Sequence, residues 1–297
     1  MVMLIRLLVV AASLSAGSVA LTLPAHNSTL SQRGFDGGFC GIDQLSVGMP
    51  VADEALIASS AQAVGDRQIS VYWNVIHKDN TIQGGFLPPS QINDAISTLN
   101  EFYSSSGFSF VLPTNQIQYV NNPTWFDRAD STGFENGENS FAKEMKQGLH
   151  RGTAKNLNIY SVALSGSGLF GYATFPWWYT QYRDLDGVVF KWTTTPGGAE
   201  PGFGTGKILV HEVGHWLGLL HTFQGGCDEV AGDYIVDTPA EASPARGCPS
   251  VRNTCPGAGN DPIHNHMDYT DDSCRTTFTP GQASRMHAAF EQLRANN

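Results

Sequence analysis

The run His211-Glu212-Val213-Gly214-His215-Trp216-Leu217-Gly218-Leu219-Leu220-His221 constrains this chain most, because its three imidazoles make sense only if they meet at one point. Ile208, Leu209, Val213, Trp216 and Leu217 fall at helical spacing, which predicts a helix over residues 208–218. Histidines four apart on a helix lie one turn above each other, so both rings can reach a single tetrahedral cation at about 2.0–2.1 Å. A helix carried straight on would swing position 221 away from that cation. Gly218 tolerates positive φ, ends the helix and lets the chain return His221 as third ligand. Three neutral nitrogens leave a fourth coordination position open, which marks a catalytic rather than a structural zinc. Glu212 adjoins the first ligand and is placed to hold the attacking water without itself binding metal. HExxH alone arises by chance in roughly 1 in 100 chains of this length, whereas the added glycine and histidine lower that to on the order of 1 in 40,000. The longer pattern therefore carries the assignment.

Charge and composition narrow the partners. With 17 basic against 27 acidic side chains in 297 residues the net charge is −10, and no stretch concentrates Lys and Arg. Nucleic acid and anionic membrane surfaces are disfavoured on that ground. Charged residues make up 15 % and apolar ones 41 %, with 32 Gly and 15 Pro, so the chain is expected to fold and to be rich in loops. Residues 1–6 carry one positive charge, 7–12 are apolar, and Ser18-Val19-Ala20 ends in small residues, the layout of a secretory signal over 1–20. Export makes disulfides expected for Cys227, Cys248, Cys255 and Cys274, although spacing leaves all three pairings open. Cys40 stands alone far upstream, and Asn27-Ser28-Thr29 is an N-glycosylation sequon.

Between the signal and the first credible strand, residues 21–45 form a polar, Gly-rich lead that reads as a short pro-segment. The rest, 46–297, reads as one catalytic domain with an upper lobe over 46–221 and a lower lobe over 222–297. Strands are expected at 68–77, 108–112, 116–120, 157–164, 169–175 and 187–191, with helices at 91–103, capped by Ser90, and at 141–149. Residues 222–279 are dominated by Gly, Pro, Asp, Cys and Thr and are expected to be irregular. Thr279 as N-cap, Pro280 at the first helical position and the face Ala283, Met286, Ala289, Phe290 and Leu293 predict a closing helix.

HExxHxxGxxH followed by a later methionine resembles the metzincin zinc peptidases. Residues 211–227, Gly171-Tyr172-Ala173-Thr174-Phe175-Pro176, Asp186-Gly187-Val188-Val189 and Asn265-His266-Met267-Asp268-Tyr269 look like the pappalysin branch (M43, cytophagalysin and ulilysin-like), specifically its small secreted fungal and microbial members. The resemblance implies an α/β (α+β) fold: a twisted mixed sheet with backing and active-site helices, then a loop-rich, disulfide-stapled lobe ending in a helix. It implies a secreted, extracellular endopeptidase acting on proteins and peptides bound in extended form, through a zinc-activated water with Glu212 as general base and acid. His211, His215 and His221 become the zinc ligands, Met267 the apolar floor beneath the metal and Tyr269 a phenol that donates to the oxyanion. The implied disulfides are Cys227–Cys255 and Cys248–Cys274. His266 stands where the family commonly has tyrosine, and packing beside the site is preferred for it over ligation. The strand around 169–173 resembles the edge strand that family members lay against substrate.

Further expectations concern what surrounds the site. Asp228, Glu229, Asp233 and Asp237 form an acidic loop that either binds calcium, as relatives do at a similar place, or is simply solvated. Asp268, Asp271 and Asp272 follow the methionine, where metzincins build the pocket wall, and suggest a basic residue just after the cut; solvated surface carboxylates are the alternative. Cys40, left over and flanked by glycines, is a candidate cysteine switch that occupies the open metal position until the pro-segment is cut; a thiol with no such role is the alternative. The chain is expected to act as a monomer. A zinc-bearing binding module is the rival from another class, and intact Glu212 argues against it. An exopeptidase is the nearer rival, against which stands only the lack of an evident terminus-capturing cluster.

Overall fold

Strand β1 (Arg67–His77) sets the frame, because its side chains leave alternately to two different cores. Ile69, Val71, Trp73 and Val75 are fully buried on one face, while Ile76 joins a second cluster on the other. Strands covered on both faces are near-continuously apolar, as β4 (Leu157–Val162) and β6 (Val188–Lys191) are. A computed structural model of the chain describes residues 40–41, 57, 65–131, 138–228, 232–257, 259–295 and 297. Gly37–Asn297 pack as one unit; Met1–Asp36, with the expected signal and Asn27, lies outside the described residues, as does Glu229.

The sheet runs β2 (Phe108–Val111), β1, β4, β6, β5 (Gly171–Ala173), with β3 (Ile117–Asn121) also paired to β1. β2 takes the first half of β1 and β3 the second half, both parallel. β4 and β6 continue the parallel set. β5 alone is antiparallel, with Gly171 opposite Phe190 and Ala173 opposite Val188, and forms the edge. Helices α1 (Pro89–Tyr103) and α4 (Lys207–Trp216) supply Ile92, Leu99, Tyr103, Val210 and Val213 to the first core. Helices α2 (Pro123–Arg128) and α3 (Ser140–Leu149) supply Phe126, Ala142, Met145 and Leu149 to the second. Both helical layers thus cover the mixed sheet that the sequence led us to expect.

Several boundaries differ from expectation. α1 begins at Pro89, so Ser90 lies inside the helix and does not cap it; Pro89 occupies an early position whose missing N–H costs nothing. The strand expected over 169–175 is regular only over Gly171–Ala173, since Pro176 opens a 3-10 turn. The short α2 was not foreseen, and Asn122 caps it by accepting from the Trp125 N–H at 3.0 Å.

Beyond α4 the described residues of 222–279 contain no regular helix or strand, and the Cys227–Cys255 and Cys248–Cys274 disulfides staple them. α5 (Pro280–Ala289) then closes the chain and continues as a π-helical turn, Phe290–Arg294. Thr279 caps α5 by accepting from the Gln282 N–H at 3.1 Å, and the Thr279 N–H donates back to Gln282 Oε1 at 2.8 Å. Gln282 also exchanges two hydrogen bonds with Asn265, whose Oδ1 accepts from the Met267 N–H at 2.9 Å. The cap therefore anchors the methionine turn. Among the described residues no helix is long and apolar enough to cross a membrane.

Thr279→Ala removes a reciprocal cap and is expected to cost about 1 kcal/mol, a fall in Tm of about 2–4 °C for a domain of this size. Thermal unfolding of the purified protein checks this, and an unchanged Tm would mean that the box does not support the turn.

Candidate active site

The three Nε2 atoms of His211, His215 and His221 form a nearly equilateral triangle, with separations of 3.1, 3.1 and 3.2 Å. His211 Nδ1 lies 2.7 Å from the His266 carbonyl and His215 Nδ1 lies 2.8 Å from the Leu219 carbonyl. A carbonyl only accepts, so each Nδ1 carries the proton and each Nε2 presents a bare lone pair. Burial, with neighbouring imidazoles second, holds His211 and His215 well below the ordinary histidine pKa, and both remain neutral. Converging lone pairs repel one another unless a cation sits among them. Three ligands of a tetrahedral zinc at about 2.0–2.1 Å would stand about 3.3 Å apart, so the donor set fits that metal. Among the described residues, the only cluster of three or more His, Cys, Asp or Glu donors placed to hold an ion is this triad with Cys40, all four ligand atoms lying within 4.8 Å of one another.

The helix end is built for this convergence. Gly218 has φ +99°, and the Gly218 and Leu219 N–H groups donate to the His215 and Gly214 carbonyls, both at 2.9 Å. That is the Schellman pattern of a glycine-terminated helix, and it turns His221 back beneath the first two rings. Gly214 is small for another reason: a Cβ there would lie 2.5 Å from Met267 Sδ, so the methionine packs directly under the helix.

Glu212 is fully buried, and its Oε2 accepts from Cys40 Sγ at 3.3 Å. Gly171 on β5 makes room for it, since a Cβ at 171 would lie 2.7 Å from both Glu212 Cγ and Oε1. The sequence marked 169–173 as an edge strand but gave no sign of this packing. Cys40 forms an isolated parallel bridge with Gly171, and the Gly41 N–H donates to the Gly171 carbonyl at 3.0 Å. Tyr269 has its ring centroid 4.9 Å from that of His221 and 5.8 Å from that of His211. Its hydroxyl donates to the Cys40 carbonyl at 3.4 Å. His266 is buried between Phe102 and Phe278, and its backbone rather than its ring serves the site.

Two carboxylates expected to line the specificity pocket are occupied elsewhere. Asp268 is fully buried and accepts from the Ala245 and Tyr269 N–H groups; Asp272 accepts from Thr205 and the Arg275 guanidinium. Asp272 is thus paired with Arg275, and Asp268 is held against backbone N–H groups away from solvent. In the acidic loop, Asp233 accepts from the Ile235 N–H and the Thr238 hydroxyl, while Asp237 accepts from Thr279 and the Gly281 N–H. These two carboxylates serve the loop and the α5 cap.

An edge strand above a helix with three converging imidazoles, a neighbouring carboxylate and a methionine floor defines a metallopeptidase of the metzincin type. The comparisons with known proteins give the branch. A family model described as Peptidase_M43, pregnancy-associated plasma protein-A, matches residues 152–291. An extracellular metalloprotease of Verticillium alfalfae is 39 % identical over 293 residues, 94 % of this chain and 97 % of the relative. One of Pyricularia oryzae is 39 % identical over 280 residues, 90 % of this chain and 94 % of the relative. The structure of Tannerella forsythia mature mirolysin in complex with a cleaved peptide is similar with a TM-score of 0.62 and 26 % identity, covering 78 % of this chain and 97 % of that one. The chain belongs to the pappalysin (M43) family and is a zinc-dependent endopeptidase acting on proteins and peptides.

A buried acid cluster supports the same turn. Glu241 Oε2 accepts from the Thr222 hydroxyl, next to His221, at 3.0 Å, while Arg252 reaches both Glu241 and Asp261. Burial first, and the charge of Asp268 second, push Glu241 up to about 8; burial pushes Asp268 up to about 6. Both folded values exceed the unfolded ones, so the folded chain retains protons that the unfolded chain releases. This contribution to stability is whole below about pH 4 and is lost as the pH rises through 6 and then 8. Glu241→Gln keeps the neutral form, and is expected to lose less stability than wild type between pH 5 and pH 8 in urea titrations; an equal loss would contradict the raised value.

Proposed function

We propose that His211, His215 and His221 hold the catalytic zinc, that Glu212 is the general base and acid, and that Tyr269 donates to the oxyanion. The observation that carries this is the triangle of Nε2 atoms at 3.1–3.2 Å beside a buried carboxylate. When bound, zinc supplies a Lewis acid that polarises the scissile carbonyl and makes water more acidic. Glu212 takes the water proton on a carboxylate oxygen and passes it to the leaving amine nitrogen. The Tyr269 hydroxyl stands on the His221 side of the triad, where its O–H donates to the carbonyl oxygen as charge builds there. The Gly171 carbonyl accepts a main-chain N–H of an extended substrate, as it accepts that of Gly41, which favours cleavage within a chain over recognition of its end.

The same geometry supports latency as part of this reading. Cys40 Sγ lies among the triad and Glu212, so the segment carrying it excludes water from the space where hydrolysis begins. Cys40 is the cysteine outside the two disulfides, and as thiolate it would fill the fourth ligand position. The reading extends to a signal over 1–20, a pro-segment over 21–45 and an exported monomer with the catalytic domain over 46–297; the extracellular naming of the relatives supports export.

Glu212→Ala is expected to retain zinc and lose orders of magnitude in casein turnover, whereas His215→Ala loses both; metal analysis beside the assay separates them. Near-native turnover by Glu212→Ala would end the assignment. Full-length Cys40→Ser should be active without processing, and zinc-edge X-ray absorption of the wild-type precursor should report one sulfur neighbour. A precursor whose zinc sees only nitrogen and oxygen would rule the switch out.

A further inference from the structure

The turn from Gly214 to His221 is buried, so its carbonyl groups need donors from within the protein. Backbone N–H groups satisfy Gly214 and His215, and the His215 imidazole satisfies Leu219. Trp216 and Gly218 are served from elsewhere. Arg294 Nε donates to the Trp216 carbonyl at 3.0 Å, and Arg285 Nε donates to the Gly218 carbonyl at 2.9 Å. Both arginines come from the last helical segment, α5 and its π-helical extension, far from the motif in sequence.

The Arg294 guanidinium is itself held. Arg294 is fully buried, lies 3.9 Å from the Trp216 ring centroid and donates to both oxygens of Asp186 at 2.9 and 3.1 Å. Asp186 also accepts from the Trp216 indole N–H at 2.9 Å and the Thr174 hydroxyl at 2.8 Å. Between the two arginines, Ala289 packs so closely that a Cβ on Gly218 would lie 2.8 Å from its own Cβ. The negative end of the α4 dipole favours cations at this place, and a buried carbonyl left without a donor is costly.

We propose that Arg285 and Arg294 are positioning residues for the third zinc ligand: the chain's final helix caps α4 from outside, fixes the return of His221 and thereby sets how long the site retains its metal. This rests on His221 being a ligand. Without the Arg285 donor, the Gly218–Leu219 peptide is held only by the Leu219 N–H bond to the Gly214 carbonyl, and His221, three residues on from Gly218, leaves the triangle more often. The remaining two imidazoles hold zinc less well, while the base Glu212 and the edge strand stay in place.

The test is zinc release from the holoenzyme to a chromogenic chelator in excess. Arg285→Met keeps the length and loses the donor, and release is expected at least tenfold faster than from wild type. Arg285→Gln retains an N–H that can reach the Gly218 carbonyl and should restore most of the difference. In a His221→Ala background Arg285→Met should change release by less than twofold, because the ligand it positions is gone. The cobalt-substituted Arg285→Met protein should show a weakened tetrahedral visible absorption band. A wild-type release rate in Arg285→Met would overturn the proposal, as would an undiminished tenfold effect in the His221→Ala background, which would mean general loosening. If His221→Ala alone released zinc at the wild-type rate, the ligand assignment itself would fall. Should Arg285→Met not fold, Arg285→Leu, which also lacks the donor, carries the same comparison.

Discussion

Three imidazole nitrogens pointed at one another across little more than 3 Å are an electrostatic liability, and the surrounding architecture exists to hold them there. His211 and His215 carry the proton on the far nitrogen, and the protein arranges this with carbonyls from the methionine turn and from the returning chain. Burial keeps the rings from protonating and escaping as imidazolium. A stable arrangement of this kind is completed by a cation, and folding and metal binding are thermodynamically linked wherever such a site is assembled.

The triad was legible because its information is local. Spacing of four along a helix, a glycine and a further histidine prescribe a geometry with almost no help from the rest of the chain. The sheet was legible to a similar extent, since the alternation in β1 and the β-forming runs in β4 and β6 are visible in the sequence. The loop-rich lobe and its closing helix were readable from composition and from the Thr279 and Pro280 start signal.

What escaped was non-local. Nothing around position 171 announces that its missing side chain leaves room for a carboxylate 41 residues on, and nothing in the closing helix announces that two of its arginines serve carbonyls of the motif. The aspartates after the methionine misled for the complementary reason. A carboxylate's identity is visible in sequence, but whether backbone N–H groups and arginines already occupy it is decided by packing. Cys40 was readable only as a remainder, and its place beside Glu212 needed the fold.

The Gly171 carbonyl on the edge strand accepts from the Gly41 N–H, a backbone contact of the kind an extended substrate would make. A tethered segment competes at an effective concentration in roughly the millimolar range, well above what most protein substrates reach outside a cell. Inhibition of this kind needs few contacts, because covalent connection replaces affinity. In the proposed latent form it would also end abruptly, because once a single bond in the tether is cut the same segment becomes a dilute, weak ligand.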